Sequence, residues 1–173
     1  MPIQALSRRE LRVEDLIGLS DALRALNQPL TICRALEKLS GETIGHRLFT
    51  VMRFDGDRSE VLRIHTNMPA AYPAGGRKPK KVTAWTQHVL TEMKVFRGGG
   101  PADIVAAFDD HETILGLGLG SVLNITVVFK GRCLGTMNLL HQAGWYRPED
   151  ERTGLLLGTF LIPVLVDDSL ETG

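Results

Sequence analysis

The histidines and cysteines are the side chains of this 173-residue sequence most able to hold a metal or act as nucleophiles. The five histidines fall in different segments, without the i, i+4 or His-x-His spacing of a metal site on one helix or strand. Cys33 and Cys133 lie far apart, and neither belongs to a Cys-x-x-Cys motif. The spacing therefore predicts no metal centre and indicates two reduced core thiols. The histidines are His46, His65, His88, His111 and His141.

The densest titratable cluster is Asp109-Asp110-His111-Glu112, which could supply a general acid and a general base. Helix capping by Asp109 or Asp110 explains the same cluster better. Gly120-Ser121 leads directly into a predicted strand, so no serine lies in a Gly-x-Ser-x-Gly elbow. We therefore expect no catalytic residue and no enzymatic activity.

Two segments could attract an anion or an acidic partner. The glycines of Arg97-Gly98-Gly99-Gly100-Pro101 expose backbone N–H groups, but no Gly-Lys-Ser/Thr follows, which favours a plain loop. Arg77-Lys78-Pro79-Lys80-Lys81 is a basic patch near Trp85, for which a solvated loop is the simpler interpretation. The 20 basic and 20 acidic residues give no net charge, so we expect neither nucleic acid nor an anionic membrane as a partner.

The most informative segment is a predicted hairpin of Ser121–Phe129 and Arg132–His141, in which odd positions are apolar and several even positions are polar. A three-residue connection, with Gly131 as a left-handed bulge, would align even positions with even ones. One face would then suit helices, while the other presents amides and hydroxyls that need partners. Those partners are a ligand, or else solvent and neighbouring loops. The polar residues are Asn124, Thr126, Thr136 and Asn138.

The remaining elements follow from hydrophobic periodicity and turn residues. Two helices are predicted at Ser7–Asn27, opened by a capping box at Ser7, and at Leu30–Ile44. A hairpin turns at Asp55-Gly56-Asp57, and 67–81 is expected to be a loop. The later expectations are a helix at Val82–Met93, a short strand at Lys94–Phe96, irregular helical turns at Pro101–Leu115, and a terminal helix from Pro148 that kinks or ends at Pro163.

Composition places these elements in one ordinary globular domain. Hydrophobic residues make up 43% and charged residues 23%, and no run approaches the roughly 18 apolar residues of a membrane span. Charges interrupt the N-terminus before a secretory apolar segment can form. We therefore expect a cytoplasmic protein that does not associate with membranes.

The order of elements and three strings together resemble the GAF domain family over about residues 30–168. The strings are Gly120–Val127, Lys130–Leu139 and Tyr146-Arg147-Pro148-Glu149-Asp150, and Trp85 with Val95 is similar to the family's helix-then-strand segment. Thr126 stands where a proline is usual in the family. The resemblance implies an α+β, PAS-like fold, in which a central antiparallel sheet has the N- and C-terminal helices on one face and a ligand pocket on the other.

The resemblance also implies a function, that of a standalone regulatory sensor, usually a homodimer, that binds a small molecule and signals through a partner chain. The signature of cyclic-nucleotide binders is absent, and Cys33 and Cys133 lack the setting of a bilin attachment site, so the ligand or cofactor stays unknown. Two alternatives remain: a small redox or hydrolytic enzyme on the same fold, or a dimerisation module without a ligand.

On this interpretation residues 1–29 form a dimerisation helix, 30–168 the GAF-like domain and 169–173 a tail. The leucine seam of the first helix could pair with a second copy or pack on the chain's own sheet. Trp85 and Phe108 could equally be aromatic core residues. The seam consists of Leu16, Leu19, Leu23 and Leu26, and the predicted ligand-binding residues are Trp85, His88, Phe108, His111, Asn124, Thr126, Thr136 and Asn138.

Overall fold

The computed structural model describes residues 8–56 and 59–171, so the predicted cap at Ser7, the turn residue Asp57 and the end of the tail lie outside the described residues. A π-helical turn, Gln87–Thr91, follows the third helix, and 3-10 turns occupy Thr159–Leu161 and Asp168–Glu171. The helices are α1 (Val13–Leu23), α2 (Leu30–Thr43), α3 (Ala84–Thr86), α4 (Pro101–Ala107), α5 (His111–Gly116), α6 (Pro148–Gly158) and α7 (Ile162–Val166). The strands are β1 (Leu48–Asp55), β2 (Glu60–Thr66), β3 (Arg77–Pro79), β4 (Phe96–Gly98), β5 (Ser121–Phe129) and β6 (Arg132–His141).

The six strands form one sheet in the order β3-β2-β1-β6-β5-β4, and every neighbouring pair is antiparallel. The two long hairpins, β1–β2 and β5–β6, meet at its centre through β1 and β6. The predicted α+β fold with a central antiparallel sheet is confirmed.

The register of the β5–β6 hairpin is as predicted, but the predicted connection is wrong. Asn124 pairs with Asn138 and Thr126 with Thr136, so even positions face even ones. The loop nevertheless has two residues, Lys130 and Gly131, both at positive φ (51° and 70°), as in a type I′ turn. A bulge opposite Val127 and Val128 inserts one residue in β6 and restores the alignment that a two-residue loop would lose.

We call the side of the sheet that carries Phe49, Val51, Leu123, Ile125 and Leu139 the helix face. All five side chains are fully buried, in a core that includes residues of α1, α2, α6 and α7. A Cβ atom on Gly154 of α6 would collide with the Ile125 side chain, so glycine lets this helix lie close to β5.

The first helix is shorter than predicted. It begins at Val13, where the Arg12 N–H donates to the Asp15 carboxylate at 2.8 Å, and it ends at Leu23. Leu19 is only 2% exposed and Leu16 packs beside it on the chain's own core, as the alternative interpretation of the seam anticipated. Leu26, beyond the helix, is fully exposed. The homodimer itself stays a prediction.

Other elements differ in detail from the predictions. The segment predicted as one helix, Val82–Met93, is three α-helical residues followed by the π-helical turn. The basic patch contains an edge strand, β3, where the sequence predicts a loop, and β4 begins at Phe96 rather than at Lys94. Pro163 lies in the first turn of α7, after the 3-10 turn at which α6 ends, because proline has no N–H to continue the helical bonds of α6. Among the described residues, no helix is long and apolar enough to cross a membrane.

Candidate functional site

A cavity of about 180 Å³ lies on the side of the sheet opposite the helices, which we call the pocket face. Its sheet wall is made of residues that alternate with those of the helix face, including Thr50, Met52, Asn124, Thr136 and Asn138. Its other wall comes from the segments that cover the sheet. These contribute Tyr72, Trp85, Leu90, Phe108, Asp110 and Ile114, and Lys78 reaches the cavity from the edge strand β3.

A ladder of hydrogen bonds crosses the pocket face through three strands. The Trp85 Nε1–H donates to Asn124 Oδ1 at 2.9 Å, and Asn124 Nδ2 donates to Asn138 Oδ1 at 2.8 Å. Asn138 Nδ2 then donates to the Thr50 hydroxyl at 3.1 Å. Because a buried amide without partners costs about 1–3 kcal/mol, this ladder lets polar side chains remain inside the domain. It also fixes the indole of Trp85 against the sheet.

A bulge in β2 brings Arg63 onto the pocket face. Val51 pairs with His65, but Met52 pairs with Arg63, so Ile64 is the extra residue. Residues opposed across antiparallel strands share a face, and Met52 and Arg63 both line the cavity. Without the bulge, Ile64 would stand opposite Met52.

Arg63 is 8% exposed, and its side chain is incompletely satisfied. Nη1 donates to the Pro73 carbonyl at 3.1 Å, and the guanidinium lies 5.0 Å from the centre of the Tyr72 ring. The buried Nε has no hydrogen-bond partner among the described residues, and no carboxylate of the described chain forms an ion pair with the guanidinium. Burial lowers the pKa of Arg63, although a guanidinium stays protonated in proteins.

Tyr72 and Asp110 line the cavity from two separate segments of the chain and contact each other. The Tyr72 hydroxyl donates to Asp110 Oδ2 at 2.9 Å, and Lys78 Nζ lies 3.8 Å from the same oxygen. Burial and the nearby Asp110 charge raise the pKa of the Tyr72 hydroxyl, which therefore remains a donor at neutral pH. Asp110 thus links two segments of the cavity wall, and its side chain makes no cap to α5.

The structure brings five of the eight predicted site residues into the cavity wall. Trp85 and Phe108 face each other with ring centroids 5.8 Å apart, and Asn124, Thr136 and Asn138 lie on the sheet. Arg63 and Tyr72 were not predicted as site residues from the sequence, in which Asp110 was a candidate only for an acid, a base or a helix cap.

The other three predicted residues do not line the cavity, and each is held by a backbone carbonyl. His88 Nε2 bonds to the Val95 carbonyl at 2.9 Å, and His111 Nδ1 bonds to the Phe108 carbonyl at 2.9 Å. The Thr126 hydroxyl donates to the Met93 carbonyl at 3.3 Å. All three therefore support the segments that cover the sheet.

The thiols and acidic clusters offer little reactive chemistry. Cys33 and Cys133 are buried, and burial raises the pKa of Cys33 to about 12 and that of Cys133 in the same direction. A protonated, buried thiol is a poor nucleophile. Within residues 8–56 and 59–171, no three His, Cys, Asp or Glu side chains are grouped as metal ligands would be.

The fold is shared with solved structures, although the sequence itself finds no match. No family model matches it, and neither does any curated protein. A GAF domain from a phosphoenolpyruvate-protein phosphotransferase of Coxiella burnetii superposes with a TM-score of 0.70 at 14% identity, covering 86% of this chain and 88% of that one. A GAF domain/HD domain protein of Geobacter sulfurreducens gives a TM-score of 0.68 at 12% identity, covering 86% and 99%.

A chromophore-binding domain is similar over most of this chain. The chromophore-binding domain of an unusual bacteriophytochrome from R. palustris superposes with a TM-score of 0.65 at 14% identity over 91% of this chain. The chain spans 64% of the length of that domain. These superpositions show that this chain has the GAF-domain fold.

Proposed function

We propose that the chain is a non-enzymatic sensor domain that binds a small molecule in the cavity on the pocket face. The observation that carries the proposal is the cavity itself. It lies between the polar and apolar side chains of the sheet on one side and the aromatic rings of Tyr72, Trp85 and Phe108 on the other. Concave, mostly apolar spaces with a few convergent polar groups are the usual form of ligand sites. The expected cytoplasmic location stays a prediction from the sequence.

The volume limits the size of the ligand. A cavity of roughly 150 Å³ holds a molecule the size of benzene, so about 180 Å³ suits one ring or a short branched chain with a polar group. Drug-sized ligands need roughly 300 Å³ or more. A larger molecule would require the loops that carry Tyr72 and Asp110 to open.

The similar structures support a sensory role. They include domains of two-component sensor histidine kinases from Sinorhizobium meliloti and Bacillus halodurans, besides the chromophore-binding domain. In this chain, the ladder residues alternate along β5 and β6 with residues that pack under the helices, such as Leu123 and Leu139. A ligand that shifts Asn124 or Asn138 would therefore also shift the strand residues against which α2 and α6 pack.

We propose that the signal passes to a second copy of the chain or to a separate signalling protein through α1. Val13 and Ile17 lie one turn apart on this helix and are 68% and 55% exposed, whereas Leu19 is buried. Apolar residues four positions apart form a stripe on one side of a helix. This stripe supports a homodimer whose contact differs from the leucine seam.

Thermal denaturation with a panel of small metabolites tests the ligand proposal. A compound present at 100 times its dissociation constant adds about 2.7 kcal/mol to the unfolding free energy and raises the melting temperature. Thr136→Phe, which fills the cavity, should abolish the shift, whereas Thr159→Phe on the exposed surface of the helical layer should retain it. A panel without any shift would favour the dimerisation module, and turnover of a binding compound would favour the enzyme.

A further inference from the structure

We infer that the cavity takes a small monocarboxylate with an apolar body, and that Arg63 binds its carboxylate. This inference rests on the proposed function, since it names the ligand class of the same cavity. The observation behind it is the buried guanidinium of Arg63, whose Nε has no partner in the described part of the chain.

The geometry of the guanidinium favours a carboxylate. Nη1 is already engaged by the Pro73 carbonyl, and the Tyr72 ring covers one side of the group. The remaining edge, Nε–H and Nη2–H, makes no hydrogen bond to the described residues, and because Nε is closed to solvent, a carboxylate reaches this edge only if the Arg63 side chain shifts. Two parallel N–H groups on one edge match the two oxygens of a carboxylate.

The charges of the cavity wall call for one negative charge. Among the described residues, three charged ones line it: Arg63, Lys78 and Asp110. Asp110 is compensated within the chain, because Lys78 Nζ lies 3.8 Å from its Oδ2 and the Tyr72 hydroxyl donates to the same oxygen. Two positive charges against one negative charge leave the described wall with one positive charge in excess, and Arg63 forms no ion pair with a described carboxylate. A buried charge without an ion-pair partner is strongly unfavourable.

The rest of the cavity wall indicates what the remainder of the ligand is. Apart from the ladder, the wall is largely apolar, with Leu48, Met52, Val61, Leu90 and Leu140 joining the aromatic rings. The ladder amides already donate and accept within the chain. A body of one aromatic ring or a short branched chain fits both the volume and this lining.

Matched acid and amide pairs test the inference on the full chain. The probes are benzoate with benzamide and 3-methylbutanoate with 3-methylbutanamide, measured by calorimetry and thermal denaturation. We expect at least one acid to bind about 10- to 100-fold more tightly than its amide, because hydrogen bonds to a charged group are the stronger ones. Phenyl phosphate serves as the dianionic probe, and we expect it to bind more weakly than benzoate.

Substitution of Arg63 separates its role in binding from its role in folding. Arg63→Met should lose the preference for the acid, and without ligand it should melt at a higher temperature, because an uncompensated buried charge is gone. Arg152→Met, at an exposed position of α6, should change neither property. If Arg63→Met fails to fold, Arg63→Lys, which keeps the charge and loses the two-pronged edge, should weaken binding of the acid about 10-fold.

The outcomes distinguish the two proposals. Amides that bind as tightly as acids, and that lose binding in Thr136→Phe, would uphold the sensor cavity and overturn the carboxylate. Acid binding that survives in Arg63→Met, or tighter binding of phenyl phosphate, would also overturn it. Absence of binding by every acid, amide and metabolite would contradict both proposals.

Discussion

The two faces of the sheet use alternate residues of the same strands for different purposes. On the helix face, Leu123, Met137 and Leu139 are fully buried in a continuous apolar core. One residue further along, Asn124, Asn138 and their neighbours border a space of about 180 Å³. The first arrangement maximises burial of apolar surface, and the second gives up some of that burial.

The covering elements differ in the same way. The helix face is covered mainly by α1, α2 and α6, which are 11, 14 and 11 residues long, and also by the five-residue α7. The pocket face is covered by helices of three, seven and six residues, by a π-helical turn and by loops. Short elements contribute little stability of their own and open at lower free-energy cost. The comparison indicates that stability resides on one face and adaptability on the other.

Truncation of neighbouring leucines should produce the largest contrast between the faces. Leu139 and Leu140 are adjacent in β6 and point to opposite faces. Leu139→Ala should destabilise the fold by about 3–5 kcal/mol, since it leaves a new void in a filled core. Leu140→Ala should cost about 2 kcal/mol, because its side chain already borders free space. Chemical denaturation measures both, and equal losses would contradict the comparison.

Breaking the ladder should have the next largest effect. Asn138→Ala removes the acceptor of Asn124 and the donor to Thr50, which should cost about 1–3 kcal/mol. Thr126→Val, which removes one bond to the Met93 carbonyl, is the control and should cost about 1 kcal/mol. If the two variants have the same melting temperature, the ladder contributes no more than a single hydrogen bond.

How much of this could be predicted from the sequence depended on whether strands were regular. The alternation of polar and apolar residues along β5 and β6 identified Asn124, Thr136 and Asn138, because those strands are regular there. Arg63 was missed because a bulge shifts the alternation of β2 by one residue, and nothing in the local sequence marks it. The one available signal was an arginine within a strand of apolar residues.

Residues of long loops were harder still to predict. Tyr72 and Asp110 meet in the cavity wall although 38 positions separate them, and no periodicity relates two loops. The leucine seam of α1 illustrates the complementary difficulty, since a single apolar stripe suits either a second chain or the chain's own core. Packing against the core, which only the three-dimensional arrangement reveals, placed Leu19 inside.

The pH dependence of stability should show a smaller effect, located at the end of β6. Burial, followed by the charges of Arg47 and Arg8, lowers the pKa of His141 from 6.5 to about 4. Between these values the unfolded chain binds a proton that the folded chain does not, so stability falls as the pH decreases from about 6.5 to about 4. Solvent screening of the two arginines limits the loss to the order of 1 kcal/mol.

His141→Gln isolates this contribution. Stability of the parent and the variant is measured by urea denaturation from pH 7 to pH 4. The difference between them should change in favour of the variant as the pH falls, since the variant has no group to protonate at this position. A constant difference across the range would show that His141 titrates alike in both states.

The smallest effect on stability is expected for a substitution at the outer surface of α1. A substitution only two residues away should have one of the largest effects. Ile17 is 55% exposed and Leu19 is 2% exposed on the same helix. Ile17→Glu should alter the unfolding free energy by no more than about 0.5 kcal/mol, whereas Leu19→Glu buries a charge and should prevent stable folding. Sedimentation of the folded Ile17→Glu variant then reports on assembly alone. A dimeric parent and a monomeric variant would place the contact on the Val13–Ile17 stripe, while a variant that stays dimeric would exclude that stripe and direct the search to the exposed leucines of α6, Leu155 and Leu156.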